Sequence, residues 1–453
     1  MSIRSRLRAH FGWIAIVGLS VAVSFIIGLV IVGWARYPPG DLPSIATDPA
    51  FFQHTGWYIL EGGVPYVDVW DVNPPVPFGI AAGLAVLSGG NMLVLYGLSV
   101  MLTVVVTATS VLLVGWMARF VTENDAAAVA AGLTMLVIPG LFVLPSEGIR
   151  AQFYALFFGA LALALALRDR PFLAGAVAAL SAGSWQPGGV FALLVVGMAY
   201  QRAGRKSALW TVAGGGSVTG VVVLAFAAVG ALVPMVVETV VAPLVAGSSY
   251  TLAERVYGVL LAFGYSSVLL PVALYGWGYA VVADFRERWW ISAGGLLFGL
   301  QVLFVDLDGS TDAVLWLVFV ALGVAITVER ATARRSVTGD HRDHDTIRMT
   351  RHRKIVALVI GLLILSGMGW YVGSPPPKST LETMEQEADV DESLPMSPRD
   401  ADVPSMQTIY WEQIKPEVCH YRVSWNEIRW IVVTDDRLDR EECGAWPNRI
   451  DRS

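Results

Sequence analysis

Residues 11–34 read FGWIAIVGLSVAVSFIIGLVIVGW and contain no charged side chain. A helix that crosses a bilayer needs about 20 mostly apolar residues, so this stretch is predicted to span a membrane. Arg4, Arg6 and Arg8 precede it. Basic residues beside a span tend to stay on the cytoplasmic side, which puts the N-terminus inside and the far end of the helix outside. The run is longer than the apolar segment of a secretory signal peptide and lacks a clear small-residue cleavage site. It is therefore expected to remain as the first helix.

The same reading continues along the chain. Further apolar runs lie at about 92–117, 126–144, 150–167, 171–183, 187–200, 207–232, 256–282, 290–305, 312–328 and 355–372. Basic residues fix their order. Arg119, the pair Arg168 and Arg170, the group Arg202, Arg205 and Lys206, the pair Arg286 and Arg288, and the stretch from Arg330 to Lys354 all fall on the inner side if there are eleven crossings. This scheme requires Val76–Leu87, bounded by Pro74-Pro75 and Gly89-Gly90, to lie at the outer interface without crossing. It also makes 171–200 a tight hairpin with SWQPGG (184–189) at its outer tip; one long kinked helix is the alternative.

Composition agrees. The chain has 453 residues, of which 55% are hydrophobic and only 15% charged, and its mean hydropathy is +0.59. Soluble domains carry about 25% charged residues, so a soluble protein is excluded. Residues 373–453 form a separate regime, with 17 Asp and Glu against 9 Lys and Arg, hence −8 where the whole chain has −6. An acidic face poor in lysine suits a halophilic or extracellular setting. The expected architecture is an all-α polytopic membrane domain over 1–372, including an external loop at 35–91, followed by a small extracytoplasmic α/β domain over 373–453. Cys419 and Cys443 both lie in that tail. Two cysteines in a small external domain read as a disulfide, with two separate thiols as the alternative.

The polar residues collect at the outer ends of the spans. The first external loop holds Asp48, His54, Glu61, Tyr66, Asp68, Asp71 and Asn73. PSEGIR (145–150) adds Glu147 and Arg150, and the hairpin tip adds Trp185 and Gln186. Later outer loops bring Glu238, Tyr250, Glu254 and Arg255, then Asp306, Asp308 and Asp312. Ionisable groups at membrane boundaries are costly to desolvate and are often functional. Acids there can serve as bases, and arginines can hold a phosphate. Asp48 opens DPAFFQHTGWYILEGG (48–63), where it suits a helix N-cap with Pro49 in the first turn, a structural role that competes with catalysis. Glu254 and Arg255 read more simply as an ion pair with each other than as site residues. His54 has no HExxH or Cys/His spacing around it. Asp68, Asp71 and Asn73 offer oxygens to a divalent metal ion, although three on one loop are fewer than such ions take; no other cofactor is implied. No phosphate loop or dinucleotide fingerprint stands at a strand-to-helix turn, and GSVTG (216–220) reads as helix-packing glycines. No basic-aromatic surface for nucleic acid is present.

At this loop the sequence resembles the GT-C superfamily of polytopic glycosyltransferases. The acid after helix one, the aromatic FFQHTGWYILEGGVPY (51–66) and WDVNPP (70–75) carry the resemblance, with support from EGIR (147–150) and DLDGSTD (306–312). The nearest likeness is to archaeal dolichyl-phosphate-mannose mannosyltransferases, with similarity also to protein O-mannosyltransferases and aminoarabinose transferases. The resemblance implies transfer of a sugar from a dolichyl or other polyprenyl-phosphate carrier on the external face of the cell membrane. The acceptor would be a glycan, a lipid-linked glycan or a glycoprotein. It makes Asp48 the base and Glu147 a second acid, and it brings His54, Tyr66, Asp68, Asp71 and Asn73 into donor and substrate binding. Where the aminoarabinose transferases carry lysine before the double proline, this chain has Asn73, so the phosphate contact passes to Arg150 or Arg255. The rival expectations are a transporter or flippase of lipid-linked glycans, and a non-catalytic scaffold of a glycan assembly complex. A transporter calls for midplane charges and an inverted repeat, neither of which stands out.

Overall fold

The computed structural model describes residues 3–36, 42–43, 45–69, 71–245, 251–304, 310–333, 342–373 and 406–415. In chain order its α-helices are α1 (Ile3–Arg36), α2 (Thr47–Leu60), α3 (Val76–Leu87), α4 (Met92–Thr122), α5 (Asp125–Thr134), α6 (Gly140–Val143), α7 (Ala151–Leu167), α8 (Pro171–Ser184), α9 (Gly189–Ala228), α10 (Leu232–Val236), α11 (Ala242–Val245), α12 (Leu252–Phe263), α13 (Leu269–Phe304), α14 (Val314–Ala333), α15 (Arg342–Gly373) and α16 (Met406–Glu412). Among the described residues there is no strand beyond one isolated bridge, between Pro65 and Val69.

Five of the described helical stretches are long and apolar enough to cross a membrane: Gly12–Gly33, Met92–Thr122, Gln186–Ala228, Leu252–Leu303 and Ser310–Ala333. A sixth is a pair, Asp125–Val137 with Gly140–Glu147, bent by 84°. This is fewer than the eleven expected: three of the expected runs are the shorter apolar helices Ala151–Leu167, Pro171–Ser184 and Lys354–Gly369, and the remaining difference lies in two stretches that double back. Gln186–Ala228 has 43 residues, enough helix for about 65 Å, roughly twice a bilayer core. It breaks at Ala203 and Gly204, where Gly204 takes φ +72°. Its first leg comes down to the turn after α7, where Arg202 donates to the carbonyls of Ala166 and Leu167 at 3.1 and 3.0 Å. Its second leg returns, and the Phe226 ring reaches Tyr66 of the first loop at 5.4 Å. The other stretch breaks at Asp284 (φ −153°, ψ 57°). There Ser292 Oγ donates to the Trp277 carbonyl at 2.9 Å across a separation of 15 residues, about 22 Å if the helix were straight.

The breaks gather the basic residues at one end. Arg288 donates to the Val121 carbonyl at 3.2 Å and pairs with Glu329 at 2.6 Å. Asn124 caps α5 and also reaches Thr332. Gln201 donates to the Arg286 carbonyl. Arg168 lies 4.8 Å over the Trp116 ring and Arg330 lies 4.1 Å over Tyr279. Arginine stems against aromatic rings suit the water interface of a membrane.

Close helix contacts use glycine where no side chain fits. A Cβ on Gly276 would meet the Gly323 carbonyl at 1.9 Å, and one on Gly214 would meet the Phe172 carbonyl at 1.9 Å. GSVTG is a correction: Gly216 and Gly220 have nothing within 4 Å, because they point away from the α8 contact that Gly214 makes. The central core is built by α5, α7 and α14, where residues such as Phe153, Leu163, Phe319 and Leu317 are fully buried.

At the other end, α2 and α3 pack as a lid-like pair. Gly56 allows the approach, since a Cβ there would lie 2.4 Å from the Ala81 backbone. α3 has 12 residues, about 18 Å of helix, too short to cross and in keeping with the interfacial expectation. Of the C-terminal region, only 406–415 lies within the described residues beyond α15. It is a helix and turn packed onto α2. The expected α/β fold of the tail and the Cys419–Cys443 bridge lie outside the described residues.

Candidate active site

The first loop is tied down at both ends. Asp48 stands in the first turn of α2, whose N-cap is Ala46 and carries no side-chain cap. The expected N-cap role is thus overturned, because the helix starts two residues earlier and the carboxylate turns outward to a partner. That partner is Arg150, whose Nη1 donates to Asp48 Oδ2 at 2.7 Å. The other arm of the same guanidinium, Nη2, donates to Glu147 Oε2 at 3.0 Å. The Glu147 and Arg150 side chains are 7% and 14% exposed, whereas Asp48 is 58% exposed. One cation therefore bridges a buried acid and an exposed one.

The turn between Glu147 and Arg150 is special. Gly148 has φ +118° and ψ −152°, a region essentially restricted to glycine. A Cβ there would sit 2.5 Å from Gln53 Nε2 and 3.1 Å from Ser99 Oγ. Next to this turn, Gln152 Nε2 reaches Asp312 Oδ1 at 3.5 Å. Asp312 thus joins the same rim, while Asp306 and Asp308 lie outside the described residues.

A second polar group lies beneath. Asp71 is buried, and its carboxylate accepts from both nitrogens of Asn73, at 3.1 Å from the backbone and 3.0 Å from the side chain. The Asp71 backbone N–H donates to Glu238 Oε2 at 2.9 Å. Glu238 is fully buried in a π-turn, Val237–Val241; π-turns inside helices are frequent at functional sites. Gln186 Nε2 donates to the Val72 carbonyl at 2.5 Å and to the Thr239 carbonyl at 3.1 Å. Tyr66, fully buried, holds φ +68° and donates its hydroxyl to the Asn73 carbonyl at 2.7 Å. A bulky residue in the left-handed region is strained and persists only where its surroundings over-determine it. Asp68 turns back to the Val64 N–H at 2.7 Å.

Burial pushes the Asp71 carboxyl up to about 7; the Asn73 hydrogen bonds oppose the rise, and the charge of Asp48 adds to it. A carboxyl whose folded pKa lies above its unfolded value favours folding when protonated. That stability is complete below the unfolded pKa near 3.8 and is lost as pH climbs through about 7. Thermal unfolding in detergent is expected to show a midpoint that falls between about pH 4 and 7. Asp71→Asn should flatten that part of the slope, and an unchanged slope would contradict the assignment.

The sequence-predicted residues divide accordingly. Asp48, Glu147 and Arg150 come together, and Tyr66, Asp71 and Asn73 form the buried loop support. His54 is elsewhere. It is fully buried against Trp57, at 5.1 Å between ring centroids, and burial lowers its pKa to about 4 against a hydrogen bond with the Ile414 backbone. Arg255 is buried in the first turn of α12, donating to the Leu303 carbonyl at the far end of α13 at 3.2 Å. Glu254 closes a capping box with Thr251, which replaces the ion pair with Arg255 weighed above. No group of three His, Cys, Asp or Glu side chains converges among the described residues. The Asp68, Asp71 and Asn73 oxygens are turned to different partners, so they do not present a divalent ion with a ready set.

The chain matches the family model described as DolP-mannose mannosyltransferase over residues 62–226. A curated relative, the dolichol phosphate-mannose mannosyltransferase of Haloferax volcanii, is 27% identical over 430 residues, spanning 90% of this chain and 92% of the relative. Among solved structures, ArnT from Cupriavidus metallidurans bound to undecaprenyl phosphate aligns with a TM-score of 0.57 at 13% identity, covering 89% of this chain and 85% of that one. The Archaeoglobus fulgidus oligosaccharyltransferase in the apo form gives 0.58 at 12% identity, over 92% of this chain and 61% of that one. At such identities the two structures speak for the fold.

Proposed function

We infer that this chain, a GT-C glycosyltransferase of the dolichol-phosphate-mannose mannosyltransferase family, moves mannose from a polyprenyl-phosphate carrier to an acceptor hydroxyl by direct displacement. The observation that carries the mechanism is Arg150 held between Asp48 and Glu147 at 2.7 and 3.0 Å. A sugar phosphate is already activated, because phosphate leaves as an anion. The transition state resembles an oxocarbenium ion, by analogy with glycoside hydrolysis. Such a reaction needs a base for the acceptor proton and positive charge for the departing oxygen.

Arg150 and Asp48 supply them in one exchange. The fork of an arginine fits two phosphate oxygens as well as it fits a carboxylate. Donor phosphate arriving at Arg150 displaces Asp48, the exposed partner, while buried Glu147 keeps the guanidinium aimed. Asp48 then takes the acceptor proton. The bond from the anomeric carbon to the phosphate oxygen breaks, the bond to the acceptor oxygen forms, and lipid phosphate leaves. Asp71, Asn73 and Tyr66 shape the floor of this site. One base without a covalent intermediate inverts the anomeric centre. Proton NMR of the product should show the configuration opposite to that of the donor, and retention would overturn direct displacement.

The site faces outward in this reading, with eleven crossings, the N-terminus inside and 373–453 outside. The basic residues gathered at the opposite end support it. A cysteine placed at the exposed position of Glu61 should react with an impermeant maleimide in intact cells, and one at Glu123 should react only after permeabilisation. The reverse pattern would invert the topology and move the site to the cytoplasmic face. The acceptor is a glycan, a lipid-linked glycan or a glycoprotein.

A further inference from the structure

We propose that Tyr410, carried by the C-terminal segment 406–415 and acting through Gln53, positions the turn that carries Glu147 and Arg150. The proposal rests on the reading of Asp48, Arg150 and Glu147 as the site.

The segment returns from far along the chain to close over α2. Ile409 and Tyr410 are fully buried. Trp411 Nε1 donates to the Pro43 carbonyl at 3.1 Å, just ahead of the helix that bears Asp48. Gln413 donates to the Gly90 carbonyl at 3.1 Å, and Lys415 pairs with Glu61 at 2.8 Å. These contacts pin the segment to both ends of α2 and to the entry of α4.

Tyr410 reaches deepest. Its hydroxyl donates to the Met92 carbonyl at 2.7 Å and lies 3.2 Å from Gln53 Oε1. Gln53 is fully buried, and its Nε2 has no hydrogen-bond partner among the described residues. That amide nitrogen lies against the backbone of Gly148, where an added Cβ would stand only 2.5 Å from it. Gly148 separates Glu147 from Ile149 and Arg150, and its φ of +118° sets the direction in which the two side chains leave the turn. The amide is thus wedged between a fixed phenol and a turn that only glycine can make. Removing the phenol frees Gln53 to rotate, and the turn loses the wall that keeps Arg150 aimed at Asp48.

Tyr410 and Gln53 are positioning residues in this account. Full-length Tyr410→Phe should therefore lower kcat about tenfold, the scale of one buried hydrogen bond, with KM for dolichyl-phosphate mannose changed by less than about twofold. Tyr410→Phe combined with Gln53→Ala should be no slower than Gln53→Ala alone, because both act on one turn. Lys415→Ala removes another anchor of the same segment and should leave kcat near that of the wild type. Hydrogen exchange gives a readout independent of transfer: amides of 147–151 should exchange faster in Tyr410→Phe and not in Lys415→Ala. Unchanged exchange and kcat in Tyr410→Phe, multiplied losses in the double variant, or equal losses in Lys415→Ala would each overturn the proposal. Absence of transfer by the wild type itself, with the exchange difference intact, would instead overturn the functional reading.

Discussion

Asp48→Asn lowers turnover by about a hundredfold or more, the scale of general-base catalysis, while the protein inserts and folds as before. The substitution keeps size and leaves an amide oxygen to accept from Arg150 Nη1, now 2.7 Å from Asp48 Oδ2. It removes the group that takes the proton. The structure makes this test cleaner than the sequence alone allowed. Asp48 does not cap α2, so helix stability does not hang on its side chain. It is also more than half exposed, so its loss leaves no buried partner stranded. Near-normal turnover with the true donor and acceptor would end its role as base and turn attention to Glu147 or Asp71.

Arg150→Ala is expected to act twice. A charged hydrogen bond is worth about 1.5–3 kcal/mol, so kcat/KM for the lipid donor should fall about tenfold to a hundredfold. The variant should also be less stable, because the Glu147 side chain, 7% exposed, loses its cation. The second effect is separable. Arg150→Ala combined with Glu147→Gln removes the stranded charge and should recover stability without recovering donor use. Arg150→Lys should rescue little, since one ammonium cannot span both carboxylates in the way a planar fork does. Donor kinetics unchanged in Arg150→Ala would move the phosphate contact to Arg255.

Much of this was legible in the sequence, for identifiable reasons. Long apolar runs and basic turns are local features, and both major breaks fall where arginines interrupt the apolar pattern, at 202–206 and 283–289. Counting crossings was harder. Leg length alone does not tell a bent span from two short ones, as the 84° bend at 125–147 illustrates. Asp48, Glu147 and Arg150 could be singled out individually, because charges at span ends are costly. Their meeting across 102 residues depends on how α2 sits on α4 and α7, which no local pattern encodes. The Asp71–Glu238 contact was invisible for the same reason, at a separation of 167 residues. The segment at 406–415 did leave a trace. TIYWEQI (408–414) is an aromatic and apolar cluster within an acidic tail, and such a cluster needs a surface to cover it. The N-cap expectation failed by two positions, Ala46 in place of Asp48, within the usual uncertainty of helix ends.

The most direct test of the whole account is a transfer assay with the purified full-length protein in liposomes. Radiolabelled dolichyl-phosphate mannose is offered with a glycan and glycolipid fraction from membranes, alongside the same sugar on a nucleotide diphosphate. Label is expected to leave the lipid phosphate and appear in the acceptor fraction, the nucleotide sugar to go unused, and Asp48→Asn to abolish most of the transfer. Label that stays on the lipid phosphate with every acceptor fraction, or transfer from the nucleotide sugar alone, would contradict the proposed function.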